Sequence, residues 1–286
     1  MHIVKEQDEK KISAELRVIN RRLEIAYSKE NTDSILSFYN DVFTYLPEYK
    51  PTIYDAEILR KFYTDWFKSV NIKTYTKKIY SVEDIKGYVL EVGNFSLTYS
   101  MQNGAENNYT GKYMVMWKRD ILGHLKILSE AFGSDKYINP EDVPYAMVKV
   151  ENSAVLKSNM INLKLLPQIE QVDKGVVKAV LAGDGEARAN EFTQDGIYMP
   201  HFDSMQIGMN MLRPYMLKTY KPNVITYVKD TYREIFDVGE FVLLSGHFKV
   251  AFNNGTSKGN FEGNMLNLMK RGKDGRLLMY RQLAHN

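Results

Sequence analysis

Residues 111–134, GKYMVMWKRDILGHLKILSEAFGS, and residues 263–286, GNMLNLMKRGKDGRLLMYRQLAHN, decide the fold. Each stretch begins with a glycine, runs to a Lys-Arg pair, turns near a second glycine and continues as a largely apolar run. Strand-like runs on both sides of a turn predict a hairpin, and Lys-Asp-Gly at 273–275 is a strong turn signal. Each stretch therefore predicts two strands joined by a turn, and their constant offset of 152 residues indicates an internal repeat.

The repeat extends towards the N-terminus at an offset of 153 residues. Gly93 and Gly246 begin the strand-like runs GNFSL and GHFKV, and the Leu-Arg pairs at 59–60 and 212–213 keep the same spacing. Each half opens with apolar residues at helical spacing, in the sets Ile12, Leu16, Ile19, Leu23, Tyr27 and Ile169, Val172, Val176, Val180. The pattern predicts three helices followed by an antiparallel sheet, twice, which is an α+β protein.

The predicted boundaries are a first domain at 1–136, a linker at 137–163 and a second domain at 164–286. The linker contains Pro140 and Pro144 and one strand-like run at 145–150. Because the same order of elements recurs on both sides of it, two domains of one fold are expected.

Composition excludes several kinds of function. The chain has 286 residues and a net charge of +3, too small to predict nucleic-acid or anionic-membrane binding. It contains no cysteine, which excludes disulfides, thiolate metal sites and cysteine nucleophiles, and its five histidines lack ligand spacing. No cofactor and no metal are expected. The first residues lack the apolar core of a signal peptide, and no apolar stretch is long enough for a membrane span, so a cytoplasmic protein is expected.

Two segments resemble a known family. Phe38-Tyr39-Asn40-Asp41-Val42, followed by Leu46-Pro47 and by residues 56–63, resembles the opening of SnoaL-like and NTF2-like domains of the ketosteroid isomerase-like superfamily. The run from Trp117 to Ser134 resembles their last hairpin, and the second half repeats both patterns more loosely. The resemblance implies two tandem cone-shaped domains, each with three helices packed on a curved antiparallel sheet around a pocket.

The resemblance also implies what the protein binds. Such domains include isomerases, cyclases, dehydratases, hydrolases and non-catalytic association modules, and their fold alone does not choose among them. Members commonly dimerise through the outer sheet face, so the two halves are expected to form an intrachain pseudo-dimer, and further self-association stays open. The aromatic content of 12% and the 14 methionines suit a pocket for a small apolar or aromatic organic ligand.

The standard groups of ketosteroid isomerases are missing at the matching positions. The positions of the base are Leu46 and Met199, and those of the donor acid are Val115 and Asn267. Neither Leu nor Met exchanges a proton, so isomerisation by that apparatus is not expected. The resemblance instead predicts His247, Glu130 and Tyr280 as catalytic candidates. It predicts as ligand-binding residues Asn94, Tyr113, Trp117, Met199, His201, Met265, Asn267, Met269 and Gln282.

Two interpretations remain open at the level of sequence. In the first, His247 or Glu130 performs acid–base chemistry on a largely apolar substrate, as an isomerase, cyclase, dehydratase or hydrolase would. In the second, His247 is an ordinary strand histidine, Glu130 pairs with a surface cation, and the protein is a non-catalytic ligand-binding or association module. Two or more titratable groups that converge in one cavity would favour the enzyme.

Overall fold

Each half of the chain folds in the same order, with three helices interleaved with long strands. The computed structural model describes residues 2–101, 104–150 and 161–286, with side chains from residue 9 onward. The chain divides into two compact units, Met1–Ala154 and Val155–Asn286. The predicted α+β fold class is therefore confirmed.

The first unit contains three helices and a five-stranded sheet in the order β1-β5-β4-β3-β2. Its elements are α1 (His2–Ser28), α2 (Thr32–Leu36), β1 (Tyr39–Leu46), α3 (Ala56–Ser69), β2 (Val70–Ile85), β3 (Tyr88–Met101), β4 (Glu106–Arg119) and β5 (Leu125–Ser134). Strands β2 to β5 pair antiparallel, whereas β1 pairs parallel with β5. The sheet is consequently mixed, and the prediction of a wholly antiparallel sheet is wrong at this one pairing.

The second unit repeats this arrangement with one added short strand, in the sheet order β7-β6-β11-β10-β9-β8. Its elements are α4 (Leu166–Ala182), α5 (Gly185–Ala189), β6 (Phe192–Met199), β7 (Gln206–Ile207), α6 (Met209–Thr219), β8 (Ile225–Val238), β9 (Phe241–Asn253), β10 (Lys258–Arg271) and β11 (Leu277–His285). Strands β6 and β11 pair parallel, as β1 and β5 do. Bulges in β8 and in the β10–β11 pair bend these long strands.

Side-chain caps fix the helix starts at equivalent positions of the two units. Asn31 accepts a hydrogen bond from the Ser34 backbone N–H at α2, and Asp184 accepts one from the Ala187 N–H at α5. A polar side chain that accepts from the first turn satisfies a backbone donor that the helix itself leaves unpaired. The repeat is thus visible in local chemistry as well as in strand order.

The repeated glycines at 111 and 263 are required by the close approach of the last two strands of each sheet. A Cβ at Gly111 would lie 2.1 Å from the Gly133 carbonyl oxygen, and one at Gly263 would lie 1.9 Å from that of His285. Only a residue without a side chain fits there, which explains the recurrence of glycine at the start of both decisive stretches.

The cores of the two units differ in composition. The first is rich in aromatic rings, and its largest fully buried side chains include Trp117, Tyr45 and Tyr63. The second is mainly aliphatic and Met-rich, with Leu244 and Met269 among its members. Buried polar side chains in each core are therefore surrounded by apolar groups.

Residues 137–150 of the predicted linker lie against the first unit. Val143, Tyr145 and Val148 are buried in its core, and the run 145–150 forms turns and irregular structure, so the predicted strand there is wrong. Residues 151–160 of the linker lie outside the described part of the chain. Within residues 2–101, 104–150 and 161–286, no helix has an apolar stretch long enough to cross a membrane.

Candidate functional site

Two aspartates meet on the inner face of the second unit. Asp173 lies on α4 within its apolar stripe, between Ile169 and Val176, and Asp230 lies on β8. The two half-buried carboxyl groups lie within hydrogen-bonding reach of each other, and the Tyr232 hydroxyl donates to Asp173 Oδ1 at 3.1 Å. A hydrogen bond between two carboxyl groups requires one of them to carry a proton. The pair is a proton-holding site that is partly open to solvent.

Burial and the neighbouring acid determine the protonation of this pair. Burial, followed by the charge of Asp173 and the interaction between the two carboxyl groups, raises the pKa of Asp230 to about 7, and Arg188 opposes this shift. The pKa of Tyr232 is also raised, by burial and then by the Asp173 and Asp230 carboxyls. Two carboxyls this close ionise together only at a high electrostatic cost, so Asp230 keeps its proton up to about pH 7.

A buried guanidinium lies on the same inner face. Arg188 of α5 is only 3% exposed, and its Nη2 donates to Gln282 Oε1 at 2.6 Å. Its guanidinium carbon lies 4.8 Å from the centre of the Phe192 ring. Its Nε and Nη1 have no hydrogen-bond partner among the described residues. The described residues supply no acceptor for these donors, so both are available to a bound molecule.

Asn267 adds a second incomplete polar group nearby on the sheet. It pairs in register with Gln282, it is 2% exposed, and its Nδ2 contacts Met265 Sδ at 3.6 Å. Its Oδ1 has no hydrogen-bond partner within the described chain. The second unit therefore combines a protonated acid pair with buried polar atoms whose bonding capacity is unused.

The first unit contains a different polar network around Glu91, in which Asn20 Oδ1 and Lys77 Nζ have no hydrogen-bond partner among the described residues. Glu91 of β3 is fully buried and accepts hydrogen bonds from Asn20 Nδ2 at 2.6 Å, the Tyr113 hydroxyl at 2.6 Å and Trp117 Nε1 at 2.9 Å. Lys77 Nζ lies 3.9 Å from Glu91 Oε1 and 4.1 Å from the centre of the Tyr113 ring. Internal donors satisfy this carboxylate from three sides.

Glu130 belongs to the same interior. The Tyr39 hydroxyl donates to its Oε2 at 2.6 Å, and the hydroxyls of Tyr39, Tyr63 and Tyr27 continue the chain at 3.2 Å and 2.8 Å. Burial raises the pKa of Glu130, Lys77 and the Tyr39 hydrogen bond oppose the shift, and Glu91 adds to it. Its carboxyl group is buried among tyrosines, so it does not pair with a surface cation.

The two interiors occupy equivalent positions with different chemistry. At an offset of 153 residues, Asn20 corresponds to Asp173 and Lys77 to Asp230, and the strand registers agree because Lys77 pairs with Phe95 and Asp230 with Phe248. If the fold required an acid pair at these two positions, the first unit would contain one as well, but it contains Asn20 and Lys77. The acid pair is specific to the second unit and is therefore not needed to build the fold.

Seven of the predicted site residues lie on the inner faces of the sheets, divided between the two units. Tyr113, Trp117 and Glu130 lie in the first unit's interior, and four lie in that of the second unit: Met265, Asn267, Met269 and Gln282. Each interior is a separate candidate site.

The predicted positions of His247 and Asn94 in the pocket are wrong by one residue. Gly93 and Gly246 point inwards, because an added Cβ would meet the Tyr113 hydroxyl and Met265 Cε respectively, so the next residue points outwards. Asn94 Nδ2 donates to the Gly111 carbonyl, and His247 lies beside the exposed Lys249–Glu262 ion pair. Burial lowers the pKa of His247, and Glu262 opposes this.

Tyr280 and Met199 also face away from the interior. A bulge between Met279 and Arg281 turns Tyr280 to the outer face, where its ring packs against Phe241 at 5.4 Å and under the Arg281 guanidinium at 3.6 Å. Met199 is buried on the side opposite to its inward neighbour Tyr198. The prediction of an interior Tyr280 is wrong because periodicity alone does not reveal a bulge.

His201 lies in the turn after β6, where its ring stacks on Phe202 with centroids 3.4 Å apart. No bond in the described structure joins it to the Asp173–Asp230 pair. It therefore contributes to the turn and does not line the inner acid site. No group of three or more potential metal ligands occurs among the described residues.

Four residues of the second-unit site were missed at the level of sequence: Asp173, Arg188, Asp230 and Tyr232. One signal was available. Asn20 and Asp173 interrupt the apolar stripes of α1 and α4 at the same repeat position, and a polar residue within such a stripe marks a buried polar contact. Asp230 and Tyr232, two residues apart on one strand, had no comparable signal because β8 is mostly polar.

The sites lie apart from the open grooves of the first unit. One groove of about 580 Å³ runs between α1 and the start of β5, and another of about 360 Å³ lies between α1 and β2. Neither is lined by Glu91, Glu130 or Lys77. The buried network of the first unit therefore does not open into these grooves.

No protein-family model matches the chain, and no curated protein matches it either. Several solved structures are similar to it. An NTF-2-like protein of unknown function from Shewanella oneidensis is 17% identical, with 42% of this chain and 98% of that chain covered and a TM-score of 0.37. A ketosteroid isomerase-like protein from Erwinia carotovora is 11% identical, with 40% and 88% covered and a TM-score of 0.37.

A protein from Catenulispora acidiphila in complex with S-DNPA is 18% identical, with 43% of this chain and 92% of that chain covered and a TM-score of 0.37. Each of these proteins thus matches less than half of this chain.

Proposed function

We propose that the second unit is a cofactor-independent acid–base enzyme that acts on a small, largely apolar organic molecule. The observation that carries this proposal is the half-buried Asp173–Asp230 pair, which shares a proton beside the Tyr232 hydroxyl. Titratable groups arranged in this way, with a pKa close to neutral, suit general acid–base catalysis. The pair replaces His247, which lies on the wrong face of the sheet.

The chemistry follows from having one proton on two carboxyl groups. The ionised oxygen can accept a proton from a carbon next to a substrate carbonyl, and the C–H electron pair then forms an enolate. The protonated carboxyl or the Tyr232 hydroxyl can donate a hydrogen bond to the enolate oxygen. Return of the proton to the same or another carbon completes an exchange or an isomerisation with no net gain or loss of electrons.

The surroundings of the pair support an apolar substrate. Phe192, Tyr198 and Met269 belong to the same hydrophobic cluster as Tyr232. Apolar walls with a few polar groups are typical of small-molecule sites, and such walls also strengthen the electrostatic interactions inside them.

The proposal is tested by hydrogen exchange at carbon. The purified chain is incubated in D₂O at pH 7 with a panel of ketones, aldehydes and carboxylic thioesters, and loss of the α-proton signal is followed by NMR. Asp230→Asn and Asp173→Asn are each expected to lower the exchange rate by about 100-fold or more. The exposed Asp195→Asn serves as the matched control and should exchange as the wild type does. Wild-type exchange rates in Asp230→Asn would overturn the proposal.

A second function, a non-catalytic ligand-binding or association module, is favoured by one observation on the first unit. The Glu91 carboxylate is satisfied by three internal donors, as a structural core group would be. We propose that the first unit has this non-catalytic role. Glu130→Gln should then leave the exchange rate of the whole chain unchanged, and a loss of exchange in that variant would assign chemistry to the first unit.

A further inference from the structure

We propose that the molecule bound by the second unit carries a carboxylate and that Arg188 binds it. This inference deepens the proposed function, on which it rests for the location of the site, by naming the class of substrate: a small monocarboxylate with an apolar or aromatic body.

The first argument is the unused bonding capacity of Arg188. Its guanidinium has five N–H groups, and those on Nε and Nη1 have no acceptor in the described chain. Arginine stays protonated inside proteins, so it cannot escape burial by losing its charge. Leaving buried N–H donors of a charged group unpaired costs more free energy than leaving those of a neutral group unpaired. A ligand acceptor would remove this cost.

The second argument is charge balance. No carboxylate among the described residues forms an ion pair with Arg188; its one polar contact there is the neutral amide of Gln282. The nearby acid pair holds a proton and so offers at most one negative charge for its two carboxyl groups. Arg188 therefore lacks a partner of full charge at contact distance, and a planar carboxylate matches the geometry of its N–H groups.

The third argument comes from the repeat. Arg188 is the fourth residue of α5, and the fourth residue of α2 is Ile35, which is fully buried. The same short helix therefore packs in the first unit without a charged group at this position. Burying a cation where the fold accepts isoleucine indicates a role in binding.

The body of the ligand is indicated by the surroundings of the guanidinium. Phe192 lies under it at 4.8 Å, and Tyr198 and Met269 belong to the same cluster. A carboxylate held on Arg188 would leave the rest of the molecule against these apolar side chains. The acid pair would then face a carbon further along the same molecule.

The experiment uses matched probes that differ only in charge: phenylacetate against phenylacetamide, and hexanoate against hexanamide. Each is titrated into the full chain, with the dissociation constant and the Arg188 Nε–H signal followed by ¹H–¹⁵N NMR. The carboxylates are expected to bind at least about tenfold more tightly than the amides and to shift that signal. Arg188→Ile, which copies the first unit, should remove the preference and keep the fold.

Three results would overturn the inference: equal binding of acid and amide, an Arg188 signal that ignores the carboxylates, or no binding of either carboxylate at 10 mM. Because the Arg188 Nε–H signal is measured in the wild-type chain, it tests the inference even if Arg188→Ile does not fold. Asp230→Asn separates this inference from the proposed function, because it should lose exchange at carbon while it keeps the carboxylate preference. A carboxylate preference with wild-type exchange in Asp230→Asn would overturn the proposed function alone.

Discussion

Replacing Asp230 by asparagine is expected to make the protein more stable at neutral and alkaline pH. Burial and the charge of Asp173 raise the pKa of Asp230 from 3.8 to about 7 in the folded state. The folded chain therefore holds this proton more tightly than the unfolded chain does, and stability falls as the pH rises between these two values. Asparagine keeps the shape and donates a hydrogen bond to Asp173, but it has no charge to bury.

The magnitude follows from the same pKa difference. Each pKa unit corresponds to about 1.4 kcal/mol, so the full difference is about 4 kcal/mol. Because solvent reaches this half-buried carboxyl and screens its charge, we expect about 2 kcal/mol of added stability in Asp230→Asn at pH 8. For a unit of this size that corresponds to a rise in Tm of about 8 °C. Well below pH 3.8 the acid is protonated in both states, and the variant and the wild type should be equally stable.

The assay is thermal and urea unfolding of both proteins between pH 4 and pH 8.5. The exposed Asp195→Asn is the matched control, for which the difference from the wild type should not change with pH. The reasoning is refuted if Asp230→Asn is less stable than the wild type at pH 8, or if the difference between them is the same at pH 4.5 and pH 8. A stabilised but inactive variant would also show that stability is given up for function at this site.

The other predictions concern the buried glutamates of the first unit and two glycines of the second unit. Glu91→Ala should lower the free energy of unfolding by about 3 kcal/mol in urea titrations, because three buried donors lose their acceptor; Glu91→Gln should cost less, since its amide oxygen still accepts. Glu130→Gln should gain stability relative to the wild type as the pH rises above the ordinary range of a glutamate, because burial raises the pKa of Glu130; equal pH profiles in thermal unfolding would contradict this. Gly263→Ala should cost about 2 kcal/mol through its contact with the His285 carbonyl, whereas Gly175→Ala on α4, which meets only the flexible end of Glu191, should be neutral or stabilising in the same assay.

The fold could be predicted from the sequence because its signals are local and occur twice. The glycines at 111 and 263 recur since the last two strands of each sheet approach too closely for a side chain. The caps at Asn31 and Asp184 recur for an equally local reason. Because the repeat presents each of these signals twice, a residue that recurs at the equivalent position of both halves can be distinguished from a chance occurrence.

The site could be predicted only in part, because sheet faces depend on register. The alternation that correctly placed Asn267 and Gln282 inside failed at Tyr280, where one bulge reverses the face. The family resemblance predicts His247 in the pocket, yet its neighbour Gly246 is the inward residue. A histidine suits acid–base chemistry, but the strand geometry places the His247 side chain on the outer face of the sheet.

The acid pair itself depends on contacts distant in sequence. Asp173 and Asp230 are 57 residues apart, on a helix and a strand, and only the packing of α4 on β8 makes them neighbours. The raised pKa of Asp230 arises from burial and from the charge of Asp173, and the local sequence around Asp230 reveals neither of them. The polar interruption of the α4 stripe indicated a buried contact but not its partner.

The most direct test of the central claim is a ¹³C NMR titration of the aspartate carboxyl carbons in the full chain, with Asp230→Asn used to assign the signal. The account predicts that one carboxyl of the Asp173–Asp230 pair titrates near pH 7 and that this transition disappears in the variant. If every aspartate carboxyl instead titrates below pH 5, the pair does not share a proton at neutral pH, and the proposed acid–base site is contradicted.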